Sequence, residues 1–222
     1  MARRTKAEAE RTRARILASA LALFVKKGYE RTTFTDVAAR LKMTKGAVYW
    51  HFESKERLLL ALVDEMVAKF RRQLCDRLPQ EGDGFESLTF ADVADAMMRN
   101  ARLIIGDAEG KAFFLLVHEQ IRWSDASMDK VREELLANQR FGPWAAFKKA
   151  VENDVRDGRA RRGVDAVKVA SVCVAVWDGL VHSRIAGVLQ CDLEETLREA
   201  FGAVRRSIEA GTGNGMYNER KD

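Results

Sequence analysis

Between Thr33 and Lys55 the chain sets out a group of donors suited to a polyanion. Thr33, Thr35 and Thr44 offer hydroxyls where helices should begin, Lys45 and Lys55 offer ammonium groups, and Tyr49 and His51 offer a phenol and an imidazole. Hydroxyls, cations and the amides of helix N-termini are the groups that hold phosphate. A cation and an aromatic hydroxyl on the first turns of a helix also suit the edges of bases in a major groove. Gly46 and Ala47 stand between them and are too small to keep a backbone away from such a surface. The same chain gives no catalytic set. His51, His118 and His182 are isolated from one another, and there is no H-E-x-x-H, no phosphate-cradling glycine loop and no G-x-S-x-G elbow. The expectation is a binding protein, not an enzyme, with no metal and no cofactor.

To present those residues, the segment needs two short helices and a tight turn. Thr33 followed by Asp36 is the spacing of a capping box, and Val37, Ala38 and Leu41 give the helix after it one apolar face. Thr44 can cap a second helix in which Val48 and Phe52, four apart, point inward. Lys45, Gly46, Ala47, Tyr49 and His51 are then left mostly outward. This is the pattern of a helix–turn–helix DNA reader.

The run Gly46-Ala47-Val48-Tyr49-Trp50-His51-Phe52, followed by Ser54-Lys55 and Leu58-Leu59, resembles the TetR family of transcriptional regulators. Arg3-Arg4-Thr5-Lys6 and Thr12-Arg13 through Ile16-Leu17 extend the similarity towards the AcrR-like branch, which includes repressors of multidrug efflux operons. The resemblance implies that Lys45, Gly46, Ala47 and Val48 meet base edges and sugars, that Tyr49 and His51 contact phosphates, and that Lys55 clamps another. Trp50 would suit the core or a hinge equally well. Lys42 stands at the turn where members of the family usually carry glycine; if that position needs a positive φ, lysine costs about 1 kcal/mol. The resemblance further implies a homodimer joined through the last two helices, with Leu197, Phe201, Val204 and Ile208 at the interface. It also implies an effector cavity among Met66, Phe70, Phe113, Phe114, Val117, His118, Trp144, Trp177 and Asp178.

Charge is divided along the chain. Residues 1–60 hold 14 Lys and Arg against 6 Asp and Glu, and the remainder holds 24 against 27, so the net charge of +5 is concentrated at the N-terminal end. That places an electrostatic footprint for phosphate on the same part of the chain as the motif. With 222 residues, 47% of them hydrophobic, two domains can each bury a core. The expected division is a reader at 1–54, a helical effector and dimerisation domain at 55–209, and a flexible tail at 210–222. Only two prolines, repeated 3.6-residue periodicity and no useful strand pattern predict an all-α chain of nine helices. The fourth, after Ser54, would be a lever out of the reader. The sixth would run over about 110–121, and a seventh, over about 127–157, would be kinked at Gly142-Pro143. Cys75, Cys173 and Cys191 form no C-x-x-C pair, which fits a reducing compartment and inert thiols. No uninterrupted apolar stretch of membrane-span length and no signal peptide are read, so a cytoplasmic protein without a membrane partner is expected. The expected function is an operator-binding repressor released by a small hydrophobic or aromatic effector. Its alternative is the same fold with a C-terminal domain that binds a protein partner.

Overall fold

The computed structural model describes residues 6–74, 87–138 and 142–210, with side chains except at 67, 69–74 and 136–138. These residues form ten α-helices, a π-helical turn and a 3-10 turn. They divide into two compact units: Met1–Arg77 with Arg99–Gln139, and Leu78–Met98 with Arg140–Asp222. The all-helical class is as the periodicity predicts. The expected tail beyond Ala210 lies outside the described residues.

In the first unit, α1 spans Lys6–Lys27 and buries Ile16, Leu17, Ala20, Leu21 and Phe24. It stops where Lys26 and Lys27 meet its negative end and Gly28 takes φ +86, the left-handed cap for which glycine has no Cβ penalty. Helix α2, Phe34–Leu41, opens on a complete capping box between Thr33 and Asp36. Helix α3, Lys45–His51, is capped by Thr44, whose hydroxyl accepts the Ala47 N–H at 3.2 Å. Helix α4, Lys55–Leu74, starts with the Ser54 hydroxyl accepting the Arg57 N–H. Val37, Val48, Phe52, Leu58, Leu59 and Leu62 close this core, each 4% exposed or less. Burying such a side chain stabilises the unit by about 1.5–3 kcal/mol before the entropy of ordering is counted.

Helix α5, Phe90–Gly106, begins at a second capping box, Thr89 with Asp92. Helix α6 covers Ala108–Leu115 and gives way to the π-turn Leu116–Gln120, so the single helix expected over 110–121 is two elements. The stretch expected as one kinked helix is likewise two, α7 at Asp129–Asn138 and α8 at Pro143–Arg156. Pro143 is the first residue of α8, with Gly142 as its N-cap. A proline there has no N–H to lose, because the first-turn amides are unpaired in any helix, and its fixed φ favours a start. The proline opens a helix instead of bending one, and the count rises from nine to ten.

Helices α8, α9 (Ala166–Ile185) and α10 (Leu193–Ile208) form most of the second unit. Phe147 stands between Phe90 and Phe201, with ring centroids 5.4 and 5.5 Å away. Asp154, almost fully buried, accepts the Phe90 N–H at 2.9 Å and the Arg159 Nε–H at 2.6 Å. The carboxylate thereby satisfies an orphan donor of the first turn of α5 and is itself neutralised. Helix α9, with a mean hydropathy of 1.3 over its most apolar 18 residues, is long and apolar enough to cross a membrane by length and composition, although polar residues interrupt it. Only 22% of its most apolar window is buried. Cys173, within it, is buried, and the apolar surroundings push its thiol up to about 12. It therefore stays protonated and inert at neutral pH. Cys191 is exposed.

Candidate nucleic-acid interface

The reader surface follows from the way α3 is seated. Val48 is fully buried and Phe52 is 4% exposed, and residues four apart share a helix face. Lys45, Gly46, Tyr49 and Trp50 are left on the outer side, with Ala47 half-buried beside them. The Lys45 ammonium lies 5.5 Å from the centroid of the Tyr49 ring, one helical turn on, and that ring stands edge-on against Phe34 of α2 at 4.7 Å. A cation–π contact at an exposed site is worth about 0.5–1 kcal/mol, enough to favour one arrangement of the two side chains without fixing it. A Cβ built on Gly46 meets nothing within 4 Å. The fold does not require glycine there, so its smallness leaves room for something outside the chain.

Thr33, Thr35 and Thr44 are exposed at the starts of α2 and α3. The Thr33 hydroxyl donates to Asp36 at 2.8 Å and accepts the Asp36 N–H at 3.3 Å, so it is engaged in the cap. The Lys27 ammonium, 2.6 Å from Asp36 Oδ1, and the Thr33 hydroxyl hold that carboxyl down at about 2. Asp36 is thus ionised at neutral pH, and it orients α2 from the end of α1.

One of the expected contacts is corrected, that of Val48. Val48 has no exposed surface and cannot meet a base edge. His51 is half-buried, its ring edge-on to Trp50 at 4.6 Å and tilted against Phe52 at 6.5 Å. The Lys55 ammonium is turned into the protein, donating to the carbonyls of Tyr29 and Glu30 at 3.2 Å each. Sequence reasoning also left Trp50 out of the site, yet it is 71% exposed. The signal was available: Trp50 lies two residues from both Val48 and Phe52, about 200° around the helix.

The residues expected to line an effector cavity fall into both units. In the first, Met66 and Phe114 are buried, Phe113 and Val117 are half-buried, and His118 is exposed. His118 stacks on Phe114 with centroids 4.0 Å apart, its Nδ1 2.9 Å from the Phe114 carbonyl. The side chain of Phe70 lies outside the described residues. In the second, Trp144 donates to the Ser171 hydroxyl at 3.2 Å, and Trp177, 6% exposed, donates to the Met97 carbonyl at 2.8 Å. These hydrogen bonds make Trp177 a core residue of its unit; Asp178 beside it is half-buried. A cavity of about 370 Å³ in this unit is lined by other residues, among them Thr89, Asp154, Arg159, Arg205 and Ile208. Of the four expected interface residues, Leu197, Phe201 and Ile208 are covered within the protomer, while Val204 is half-exposed. The first three serve the core because α10 turns its apolar stripe onto α8 and α9.

Two short helices joined by a tight turn, with small, cationic and aromatic residues outward on the second, define a helix–turn–helix DNA-binding protein. The model of the bacterial regulatory proteins of the tetR family matches residues 16–62. The probable acrEF/envCD operon repressor of Escherichia coli (strain K12) is 48% identical over 195 residues, covering 87% of this chain and 84% of that protein. The transcriptional repressor BepR of Brucella suis biovar 1 (strain 1330) is 41% identical over 197 residues, covering 86% and 88%. Among solved structures, the SmeT–triclosan complex superposes with a TM-score of 0.71 over 95% of this chain and 99% of its own, at 24% identity. The chain belongs to the TetR family of transcriptional regulators. Members of this family are DNA-binding regulators that respond to small molecules, not enzymes.

Proposed function

We propose that this protein is a repressor of a multidrug efflux operon, released from an inverted-repeat operator by a small hydrophobic, aromatic effector. The observation that carries the reading is the 48% identity to the probable acrEF/envCD operon repressor along most of both chains, which extends far beyond the reader. Residues 1–54 are the operator-binding part and 55–209 the part that takes the effector and a second copy of the chain. Lys45, Gly46, Ala47 and Tyr49 face the groove, and Thr33, Thr35, Thr44 and His51 stand towards the phosphates. The apolar end of the effector meets Phe113, Phe114, Val117 and Met66. Phe113 and Phe114 lie on α6, and Val117 and His118 lie in the π-turn that follows it, an irregularity frequent at functional sites in helices. Operator and effector then favour different states of one protein, and the effector lowers operator affinity by the ratio of its affinities for those states. Such a protein acts in the cytoplasm.

The test is direct. A duplex selected from a random pool by the full-length protein should contain an inverted repeat, and fluorescence anisotropy should show its release by triclosan or by members of a panel of apolar drugs and phenolics. Release by none of them, with operator binding intact, would overturn the effector reading and favour a protein partner.

A further inference from the structure

We infer that the second unit holds a binding site for a small carboxylate with an apolar body, set between the start of α5, the loop that follows α8 and the end of α10. Residues 154–162 and 205–209 carry six Arg against three Asp and Glu, within the stretch 61–222 that holds 24 Lys and Arg against 27 Asp and Glu. The charge here is opposite in sign to that of the stretch around it, and a local excess of cations attracts an anion.

The walls are fixed by backbone bonds. The Asp154 carbonyl accepts the N–H groups of both Arg159 and Ala160, at 2.8 and 2.9 Å, and Gly158 takes φ +75 to allow the turn. The Arg161 N–H donates to the Ile208 carbonyl at 2.9 Å and the Ala210 N–H to that of Arg159 at 3.1 Å, which laces the loop to the end of α10. Together they enclose the cavity of about 370 Å³, within the size range of small-molecule sites. Ala160 and Ile208, each 4% exposed, lie at its base, whereas the side chains of Arg159 and Arg205, 46% and 56% exposed, stand at its opening.

Donors outnumber acceptors in it. A guanidinium has five N–H groups and no acceptor. Arg159 spends Nε on Asp154 at 2.6 Å and one terminal nitrogen on Asp157 at 2.7 Å, and Arg205 spends Nε on Glu209 at 3.0 Å. Among the described residues nothing else takes the N–H groups that remain. Both oxygens of Asp154 are occupied, by Arg159 and by the Phe90 N–H. The cavity therefore suits an anion, and a planar carboxylate matches the edge of a guanidinium with two parallel bonds. A second cavity, of about 150 Å³, shares Ala91 and Arg205 with the first and is lined by Phe90, Ala94, Met98 and Phe201, with Asp95 and Arg198 beside them. It sets an apolar recess next to the cations, which selects an acid with a hydrocarbon body over a bare inorganic anion.

None of these residues belongs to the effector reading or to the DNA reader, so the inference stands apart from the proposed function and its test needs no DNA. Octanoate would be titrated into the full-length protein labelled at the isoleucine δ1 methyls. The Ile208 resonance, identified by its loss in Ile208→Val, is the reporter, and it separates this cavity from any other place where octanoate binds. Octanol, octylamine and inorganic phosphate are titrated in parallel. Octanoate should move the Ile208 methyl saturably, at least about tenfold more tightly than the other three. Arg205→Gln should weaken octanoate on the order of tenfold, as loss of a hydrogen bond to a charged group does. Glu209→Gln should tighten it, because the guanidinium loses its competitor, a gain that a merely structural role would not produce. Arg205 and Glu209 are both exposed, so neither change removes a core contact. An Ile208 methyl that octanoate leaves in place, equal affinity for octanol, octylamine or phosphate, or an Arg205→Gln variant that binds octanoate as wild type does would overturn the inference.

Discussion

At Lys42 the backbone enters the left-handed region, φ 54 and ψ 43, the only non-glycine residue among those described with a positive φ. The conformation closes α2. The Lys42 N–H reaches the Ala39 carbonyl at 3.2 Å and the Met43 N–H reaches that of Ala38 at 2.9 Å, which satisfies two of the carbonyls a helix end leaves open. A Cβ in this region costs about 1 kcal/mol, and the side chain that incurs the cost is an exposed cation between the two reader helices. Lys42→Gly is therefore expected to raise stability by about 1 kcal/mol while weakening operator binding, with a salt slope lower by about one per reader. Thermal melts and binding at several salt concentrations check the two halves. A more stable variant with unchanged operator binding would show that the strain serves nothing at the DNA. The inward Val48 and Phe52 were legible in the sequence because local periodicity sets them, whereas the positive φ was raised there only as a condition, by the resemblance to a family that usually carries glycine at this turn. The engagement of Lys55 was not legible, since its acceptors lie 25 and 26 residues away in the chain.

Among the elements, those opened by a local cap were the most readable. Thr33 with Asp36, Thr89 with Asp92, and Asp192 ahead of Glu195 each place an acceptor where the first amides of a helix need one. The misreadings fell where the same residue type has two positional meanings. Pro143 breaks a helix interior but favours a helix start, and only the fold shows which applies. The π-turn after α6 leaves no mark on an apolar pattern that continues through it. The cap of α2 also carries a pH dependence. Asp36 is held at about 2, from an ordinary 3.8, first by the Lys27 ammonium and then by the Thr33 hydroxyl. Between those two values the unfolded chain binds more protons than the folded one, so stability rises with pH through this window. The contribution is complete above about pH 4 and is lost as pH falls towards 2. Asp36→Asn should remove this part of the dependence while keeping a hydrogen-bond acceptor for the cap. Thermal midpoints of both proteins between pH 2 and 5 are the measurement; parallel curves would show that Asp36 does not supply it.

At the scale of the whole molecule, the unresolved demand is the outer surface of α9. Val172 is 49% exposed, and Ala175 and Gly179, three and seven residues on, are exposed on the same side. Small residues in such a row allow another helix to come close, and an apolar helix with most of its surface open calls for a cover. Membrane insertion is a poor cover for a helix whose other side packs on α8 and α10 in a DNA-binding protein. The second copy of the chain proposed above would meet the demand, and its two-fold axis would match an inverted repeat. By resemblance the sequence carried a dimer on the last two helices, with Leu197, Phe201, Val204 and Ile208 at the interface; three of these, Leu197, Phe201 and Ile208, are buried in the protomer, because apolar spacing alone cannot tell a core stripe from an interface stripe. With those three buried in the protomer, the charge that tests the interface belongs on α9. Val172→Asp should leave the helical content intact and shift the protein to monomer, since an unpaired carboxylate buried at an interface costs several kcal/mol, a change in Kd of at least about a hundredfold. Operator affinity should fall with it, because each reader would then bind its half-site alone. Sedimentation at micromolar concentration decides: a monomeric wild type, or a Val172→Asp variant that remains dimeric, would mean that the open face of α9 is covered by something other than its own copy.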